Sequence, residues 1–297
     1  MTSGLAGFED ALLDVGDVSI RTRTAGNGPP LLLLHGYPES SYMWRHVAPE
    51  LARDFSVVVT DLRGYGSSSA PPDDAEHQTY SKRAMAADQL AVMEALGHDT
   101  FAVAGHDRGG RVAHRLALDH PTRVTRVAVL DIVPTLHMYE NVDLAMAQTY
   151  FHWFFLTQPG DMPERLINAD PDAWIATRFR GRHRGEAGMD EEAIAEYTAA
   201  FRDPARVAAT CADYRAAATI DLVHDREDRA AGRRIEAPLL AMWGATSYVG
   251  RNFDVVPVWR EFAASVSGVS VPSDHYLPEE APELTTRALR EFFLDGA

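Results

Sequence analysis

The sequence predicts an α/β fold, with a mostly parallel sheet flanked by helices and a helical segment inserted into it. Three features of the 297-residue chain carry that expectation. Strand-like apolar runs alternate with helix-like segments through the first half. The alternation returns near the end, from PLLAMWGA at 238–245 onward. Between them, from about Leu136 to Ala218, the chain is helix-like, aromatic-rich and without a clear strand. Strands alternating with helices build a parallel sheet covered on both faces.

LLDVGDVSIRTRTAG (12–26) alternates enough for a hairpin. PPLLLLHGYP (29–38) is a buried-strand run ending in turn residues, and FSVVVTDLRGYGSS (55–68) is another strand closed by glycines and serines. Residues 81–96 have helical composition, with Ala86, Leu90 and Met93 on one face. FAVAGHD (101–107) is a short strand running into a glycine turn, followed by a helix over 111–121 that Pro121 stops. VTRVAVLDIVP (124–134) is the next strand. The helical stretch then includes TYFHWFF (149–155) and DPDAWIATRF (170–179). After it come PLLAMWGA, VVPVWREFA, SGVSVPSDHY and a last helix, APELTTRALREFF (281–293). This divides the chain into a first core piece, 1–135, a helical cap, 136–218, and a second core piece, 219–297. An insertion leaving the C-terminal end of a strand covers the ligand crevice of an open α/β sheet.

The composition, 46% hydrophobic and 24% charged, is that of a soluble globular protein. A net charge of -15 argues against nucleic-acid binding and against bulk attraction to anionic membranes. An anionic substrate would need a local positive site. The single cysteine, Cys211, allows no intrachain disulfide and fits a reducing compartment. The N-terminus does not read as a signal peptide, and LLLL at 31–34 is too short to span a bilayer. A cytoplasmic enzyme without metal or cofactor is expected.

GHDRGGR (105–111) is where chemistry concentrates. Gly105 and Gly109 flank Asp107 at the spacing of a tight strand-to-helix turn that presents a nucleophile. The plain alternative is that Asp107 caps the following helix. A carboxylate is ionised at neutral pH and needs no base to attack. Displacing a leaving group from saturated carbon would give an alkyl ester on the enzyme, which an activated water must then hydrolyse. His275, after the last predicted strand, is the candidate base, and the chain order nucleophile, acid, histidine suits it. Its orienting carboxylate is Asp131, which ends a hydrophobic strand, with Asp254 as the alternative. The oxyanion would be met by the backbone N–H groups of Arg108 and Tyr37, each worth about 3 kcal/mol of transition-state stabilisation. His106 and His35 are expected to be local hydrogen-bonding groups.

Arg108 and Arg111, three apart, share a face of the first helical turn. Two cations at the positive end of a helix are poorly placed unless an anion joins them. A substrate carboxylate would do so, since guanidinium matches it in bidentate fashion. The competing reading pairs Arg111 with Asp107 or leaves both arginines solvated.

The chain resembles the haloacetate dehalogenases of the α/β-hydrolase fold, and especially the fluoroacetate dehalogenases. PPLLLLHGYP, MWRHVAPEL, TDLRGYGSS, GHDRGGRVAHRLALDHP, VLDIVPT, HWFFLTQP, DYRAAATIDLVHD and LPEEAP carry the resemblance nearly end to end. It implies Asp107 as nucleophile, His275 as base, Asp131 as its partner, and Arg108 and Arg111 as carboxylate ligands. It further implies that His152, Trp153 and Tyr214 hold the departing halide, each offering one polar hydrogen. The partner is then a small haloacid, with no nucleic acid or membrane, and a homodimer is compatible with the resemblance. Three departures stand out. Asp274 precedes His275 where relatives usually have glycine, and a carboxylate there is expected to raise the histidine pKa. Arg182, in TRFRGRHRG, falls where relatives carry a pocket tryptophan, which predicts a wider or more polar pocket end. Phe154 follows the His-Trp pair.

Two other classes compete. An epoxide hydrolase shares the Asp-His-Asp chemistry but needs cap tyrosines, for which Tyr214 and Tyr150 are available, and typically has tryptophan where Arg108 stands. A non-catalytic small-molecule receptor on the same scaffold would not need an intact nucleophile, acid and base.

Overall fold

A computed structural model of the protein describes residues 5–179 and 189–295. The strands are β1 (Glu9–Val15), β2 (Val18–Ala25), β3 (Pro30–Leu34), β4 (Ser56–Thr60), β5 (Phe101–His106), β6 (Val124–Leu130), β7 (Leu239–Gly244) and β8 (Val266–Val271). They form one sheet in the order β1-β2-β4-β3-β5-β6-β7-β8. β2 pairs antiparallel with β1 and with β4, so it alone runs against the others. The remaining neighbours are parallel.

Burial follows sheet position. Leu31 to Leu34 of β3 and all six residues of β5 are buried, as central strands covered on both sides must be. The edge strands β1 and β8 are mostly exposed. Helices Lys82–Ala95 and Asp107–Asp119 pack on each other and on the sheet, while Val255–Arg260 and Pro282–Leu294 lie against its far strands.

The helix expected over 111–121 starts earlier, at Asp107, because the turn feeds directly into it. Between β6 and β7 the described residues are helical, from Thr135–Glu140 through Pro204–Ala218. The helical run also continues past Ala218 into Ile220–Ala230. Its inward face is mostly ionic, with Leu222 the one buried aliphatic side chain, which hides it from a search for hydrophobic periodicity. Asp221 accepts the Lys82 backbone N–H at 2.8 Å, and Asp225 and Asp228 pair with Arg115. No helix among the described residues is long and apolar enough to cross a membrane.

Candidate active site

The turn after β5 is tight. A Cβ on Gly105 would lie 2.3 Å from the Gly109 carbonyl oxygen, and one on Gly109 would lie 2.4 Å from that of His35. Only glycine allows the first turn of helix Asp107–Asp119 to press so closely on the ends of β5 and β3. The Gly109 N–H uses that approach, donating to His35 O at 2.9 Å. Asp107 takes up the bend at φ +45°, a conformation that costs a non-glycine residue about 1 kcal/mol or more. The reversal lifts its carboxylate off the sheet, where the Tyr37 backbone N–H donates to Oδ1 at 3.0 Å.

Register brings the acid alongside. His106 is paired with Leu130 across β5 and β6, so the residues that follow them, Asp107 and Asp131, leave the sheet side by side. Asp131 also has a positive φ, +51°. Its Oδ1 accepts from Gly244 N–H at 3.0 Å and Ser247 Oγ–H at 2.6 Å, and its Oδ2 contacts His275 Nδ1 at 2.6 Å. Nε2 of His275 lies 4.0 Å from Asp107 Oδ2. That is beyond direct hydrogen bonding, and within reach through one water. The His275 side chain keeps 17% of its surface exposed, enough for water to approach it. Asp254 stands at the start of helix Val255–Arg260, lining a surface cleft with His137 and Asp143. The structure therefore joins His275 to Asp131 and places Asp254 elsewhere.

The His275 loop is held from both sides. Glu280 accepts the backbone N–H groups of Asp274 and Tyr276 at 2.7 and 2.9 Å. His106 Nε2 contacts the His275 carbonyl oxygen at 2.8 Å, and its Nδ1 contacts Glu39 at 3.0 Å. Burial works against a charge on His106, but Glu39 and Asp107 overcome it and push the pKa up to about 9. An imidazolium thus lies beneath the nucleophile. Burial likewise pushes the Asp107 carboxyl up. His275, His106, Arg111 and Arg108 outweigh that and hold it below its ordinary value, so it is a carboxylate at neutral pH.

The two arginines share a helix face but differ in their partners. Arg108 is fully buried, donating from Nε to Asp213 Oδ2 at 2.9 Å and from Nη2 to Asp213 Oδ1 and O at 2.6 and 2.8 Å. Its face lies 4.2 Å above the Tyr214 ring. Arg111 donates from Nη1 to Val133 O and Thr135 Oγ at 3.1 and 3.0 Å, with its guanidinium 4.7 Å from the Trp153 ring centre. Neither forms the Asp107 pair or the solvated surface that the competing reading required. Arg108 Nη1 and Arg111 Nε are buried without a hydrogen-bond partner among the described residues.

Opposite the nucleophile stands an aromatic wall from the insert. His152 and Trp153 come from helix Phe151–Phe155, and Tyr214 from Pro204–Ala218. The Tyr214 ring lies 5.7 Å from His152 and 6.1 Å from Trp153, centre to centre. Its hydroxyl is buried without a partner among the described residues. Burial and the charge on Asp107 hold its pKa well above normal, so it is a neutral donor. The Tyr37 side chain joins this wall, 5.3 Å from Tyr214 and 5.8 Å from His152, and its hydroxyl accepts from Trp174 Nε1 at 2.7 Å.

Sequence reasoning thus named the residues that the fold collects around Asp107, but missed several that arrange them. Asp213 and Trp174 lay inside quoted motifs without a role assigned to them. Glu39 directly follows the HGYP turn, and that position was the one available signal, since its partner His106 lies 67 residues away. Ser247 and Glu280 carried no local signal, since their partners are more than a hundred residues away or are plain backbone. Arg182 lies outside the described residues.

The alpha/beta hydrolase fold family matches residues 29–282. A fluoroacetate dehalogenase from Burkholderia sp is 46% identical over 98% of this chain and 95% of its own length. A soluble epoxide hydrolase from Corynebacterium sp. (strain C12) is 35% identical over 91% of this chain and 92% of its own. Among solved structures, a Nostoc sp PCC 7120 protein assigned to the α/β hydrolases superposes with a TM-score of 0.95 at 50% identity, covering 98% of this chain and 99% of that one.

Proposed function

The chain belongs to the α/β-hydrolase family, and on that footing we propose that it hydrolyses the carbon–halogen bond of haloacetates, converting fluoroacetate and its analogues to glycolate and halide. The observation that carries the reading is the pairing of an ionised aspartate at the nucleophile turn with two buried guanidinium groups, each retaining an unclaimed N–H beside it. A serine or a neutral substrate would need neither.

Arg108 and Arg111 hold the carboxylate of the haloacid, offsetting the repulsion between two anions. Asp107 Oδ2 attacks the α-carbon as the carbon–halogen bond breaks, and the electron pair of that bond leaves with the halide. His152, Trp153 and Tyr214 each donate a hydrogen to the departing ion, which matters most for fluoride, a poor leaving group. The product is a carboxymethyl ester of Asp107. His275, oriented by Asp131, takes a proton from water as that water adds to the ester carbonyl carbon. Charge builds on the Asp107 oxygen that meets the Tyr37 N–H, and the Arg108 N–H is assigned as the second donor. Collapse expels glycolate, which takes its hydroxyl oxygen from Asp107 and its hydroxyl proton from the protonated His275.

One turnover in heavy-oxygen water tests the route. The label is expected on Asp107, with the first-turnover hydroxyl of glycolate unlabelled; label in that hydroxyl would mean direct attack by water. A second reading is favoured by one feature, the adjacent phenols of Tyr37 and Tyr214. Two such donors suit an epoxide oxygen, and the 35% identical relative is an epoxide hydrolase. Halide release from fluoro-, chloro- and bromoacetate, run beside diol formation from styrene oxide, separates the two readings. The proposal includes a cytoplasmic setting and a homodimer, checked by cell fractionation and light scattering.

A further inference from the structure

Arg108 is a residue of the core helix, yet everything that orients its guanidinium comes from the insert. Asp213 takes two of its three nitrogens, using both carboxylate oxygens and its own carbonyl. Tyr214, the next residue, covers its face. Asp213 is itself fixed from the core: the Tyr65 hydroxyl donates to Oδ2 at 2.7 Å, and Lys82 Nζ pairs with Oδ1. Lys82 Nζ lies 3.7 Å from Asp221 of the adjoining helix as well, and all these side chains are buried.

The charges explain the arrangement. Asp213 cancels the charge of the arginine it holds, so an Arg108–Asp213 pair alone would attract an anion weakly. Lys82 adds one positive charge and Asp221 one negative, so the four buried side chains sum to zero, and Lys82 shares the Asp213 carboxylate with Arg108. Burial pushes the Asp213 carboxyl up, but Arg108 and Lys82 more than offset this and keep it ionised. With Nε and Nη2 engaged, Nη1 is the one Arg108 nitrogen left without a partner among the described residues.

We propose that Asp213 and Lys82 are positioning residues for the carboxylate clamp. Asp213 selects which edge of Arg108 is left unengaged for substrate, and Lys82 fixes Asp213 from the core and draws part of its negative charge away from Arg108. The inference rests on the haloacid reading above. It adds that the clamp is complete only when the insert is docked on the core, because the residue that aims Arg108 belongs to the insert. The carboxylate then meets Nη1 of Arg108 and the Nε side of Arg111, whose Nη1 is held by Val133 and Thr135.

Two readouts test this on the whole protein, one of them independent of turnover. The first is the rise in Tm produced by acetate, with the neutral acetamide as control. The second is the split between KM and kcat for chloroacetate, with active enzyme counted from single-turnover chloride release. Acetate is expected to raise the Tm of the wild type, acetamide to leave it unchanged, and Asp213→Asn to lose most of the acetate response. The same variant is expected to raise KM about tenfold or more with kcat within about threefold, and Asp213→Glu to recover part of the loss. Lys82→Met is expected to raise KM about threefold or more. An Asp213→Asn protein that keeps the acetate response and the wild-type KM overturns the inference. So does one that loses kcat and active fraction at unchanged KM, since that marks a structural role. A wild type indifferent to acetate overturns it too. A wild type that responds to acetate through Asp213 but releases no halide from any haloacetate supports the inference and removes the dehalogenase reading instead.

Discussion

The nucleophile side of the site and the cap side are held in place by different means. On the nucleophile side, Asp107 and Asp131 leave neighbouring parallel strands one residue beyond a register pair, and His275 follows β8, two strands over from β6. Backbone pairing sets their spacing, and local hydrogen bonds from Tyr37, Gly244 and Ser247 refine it. On the cap side there is no register. His152 and Trp153 come from one helix and Asp213 and Tyr214 from another, and the placement of the insert's helices depends on side-chain contacts. These include the Asp213 group, the Tyr42–Glu192 hydrogen bond at 3.1 Å and the Arg45–Asp190 pair at 2.8 Å. The comparison teaches that the reacting atoms are built into the sheet, while grip on the ends of the substrate depends on a docked layer. Substitutions on the first side should abolish chemistry without loosening assembly, and those on the second should change which substrates are handled well.

The largest effect is expected at the turn. Asp107→Asn should lower halide release by about 10⁴-fold or more while leaving Tm nearly unchanged, because asparagine tolerates a positive φ. A large fall in Tm would mean that the turn needs the charge for folding, which would blur the distinction. Next comes Asp131→Asn, which should cost about 10³ to 10⁴-fold in steady-state turnover. The ester on residue 107 should then accumulate, visible in the intact-protein mass. Asp254→Asn should do neither, and a comparable loss there would move the acid to the other loop.

On the cap side, Tyr214→Phe should slow fluoroacetate about tenfold more than bromoacetate, since fluoride depends most on donated hydrogens. Equal losses for both halides would make the tyrosine a packing residue. The smallest effect concerns the His106–Glu39 pair. The folded-state pKa of about 9 lies above the ordinary histidine value near 6.5. Its stabilising contribution is therefore complete below about pH 6.5 and fades as pH rises through 9. The Tm should fall between pH 7 and 10, and Glu39→Gln should flatten that fall; identical pH profiles would show that Glu39 does not hold the proton.

Much of this could be read along the chain because the signals were local. A glycine on each side of Asp107, an apolar run ending at Asp131 and a histidine beyond the last strand are short patterns tied to backbone geometry. The hairpin, the parallel strands and the aromatic insert followed from periodicity. Helix Ile220–Ala230 did not, because its buried face carries Asp221, His224, Asp225 and Asp228 with Leu222 as the one aliphatic side chain, and pairing more than patterning keeps it inside. Burial pushes Asp225 up to about 6 even with Arg115 beside it, a measure of how unlike a surface acid it is.

The sequence by itself determined the chain order of nucleophile, acid and histidine, the turn that exposes a carboxylate and the presence of two arginines beside it. Only the tertiary structure decided that Asp131 rather than Asp254 faces His275, that Asp213 claims one edge of Arg108, and that Tyr37 offers its ring as well as its amide. The reason is physical. Turns and strands are set by steric rules acting over a few residues, whereas the partner of a buried charge is whichever group the folded layers bring within about 3 Å, however distant in the chain.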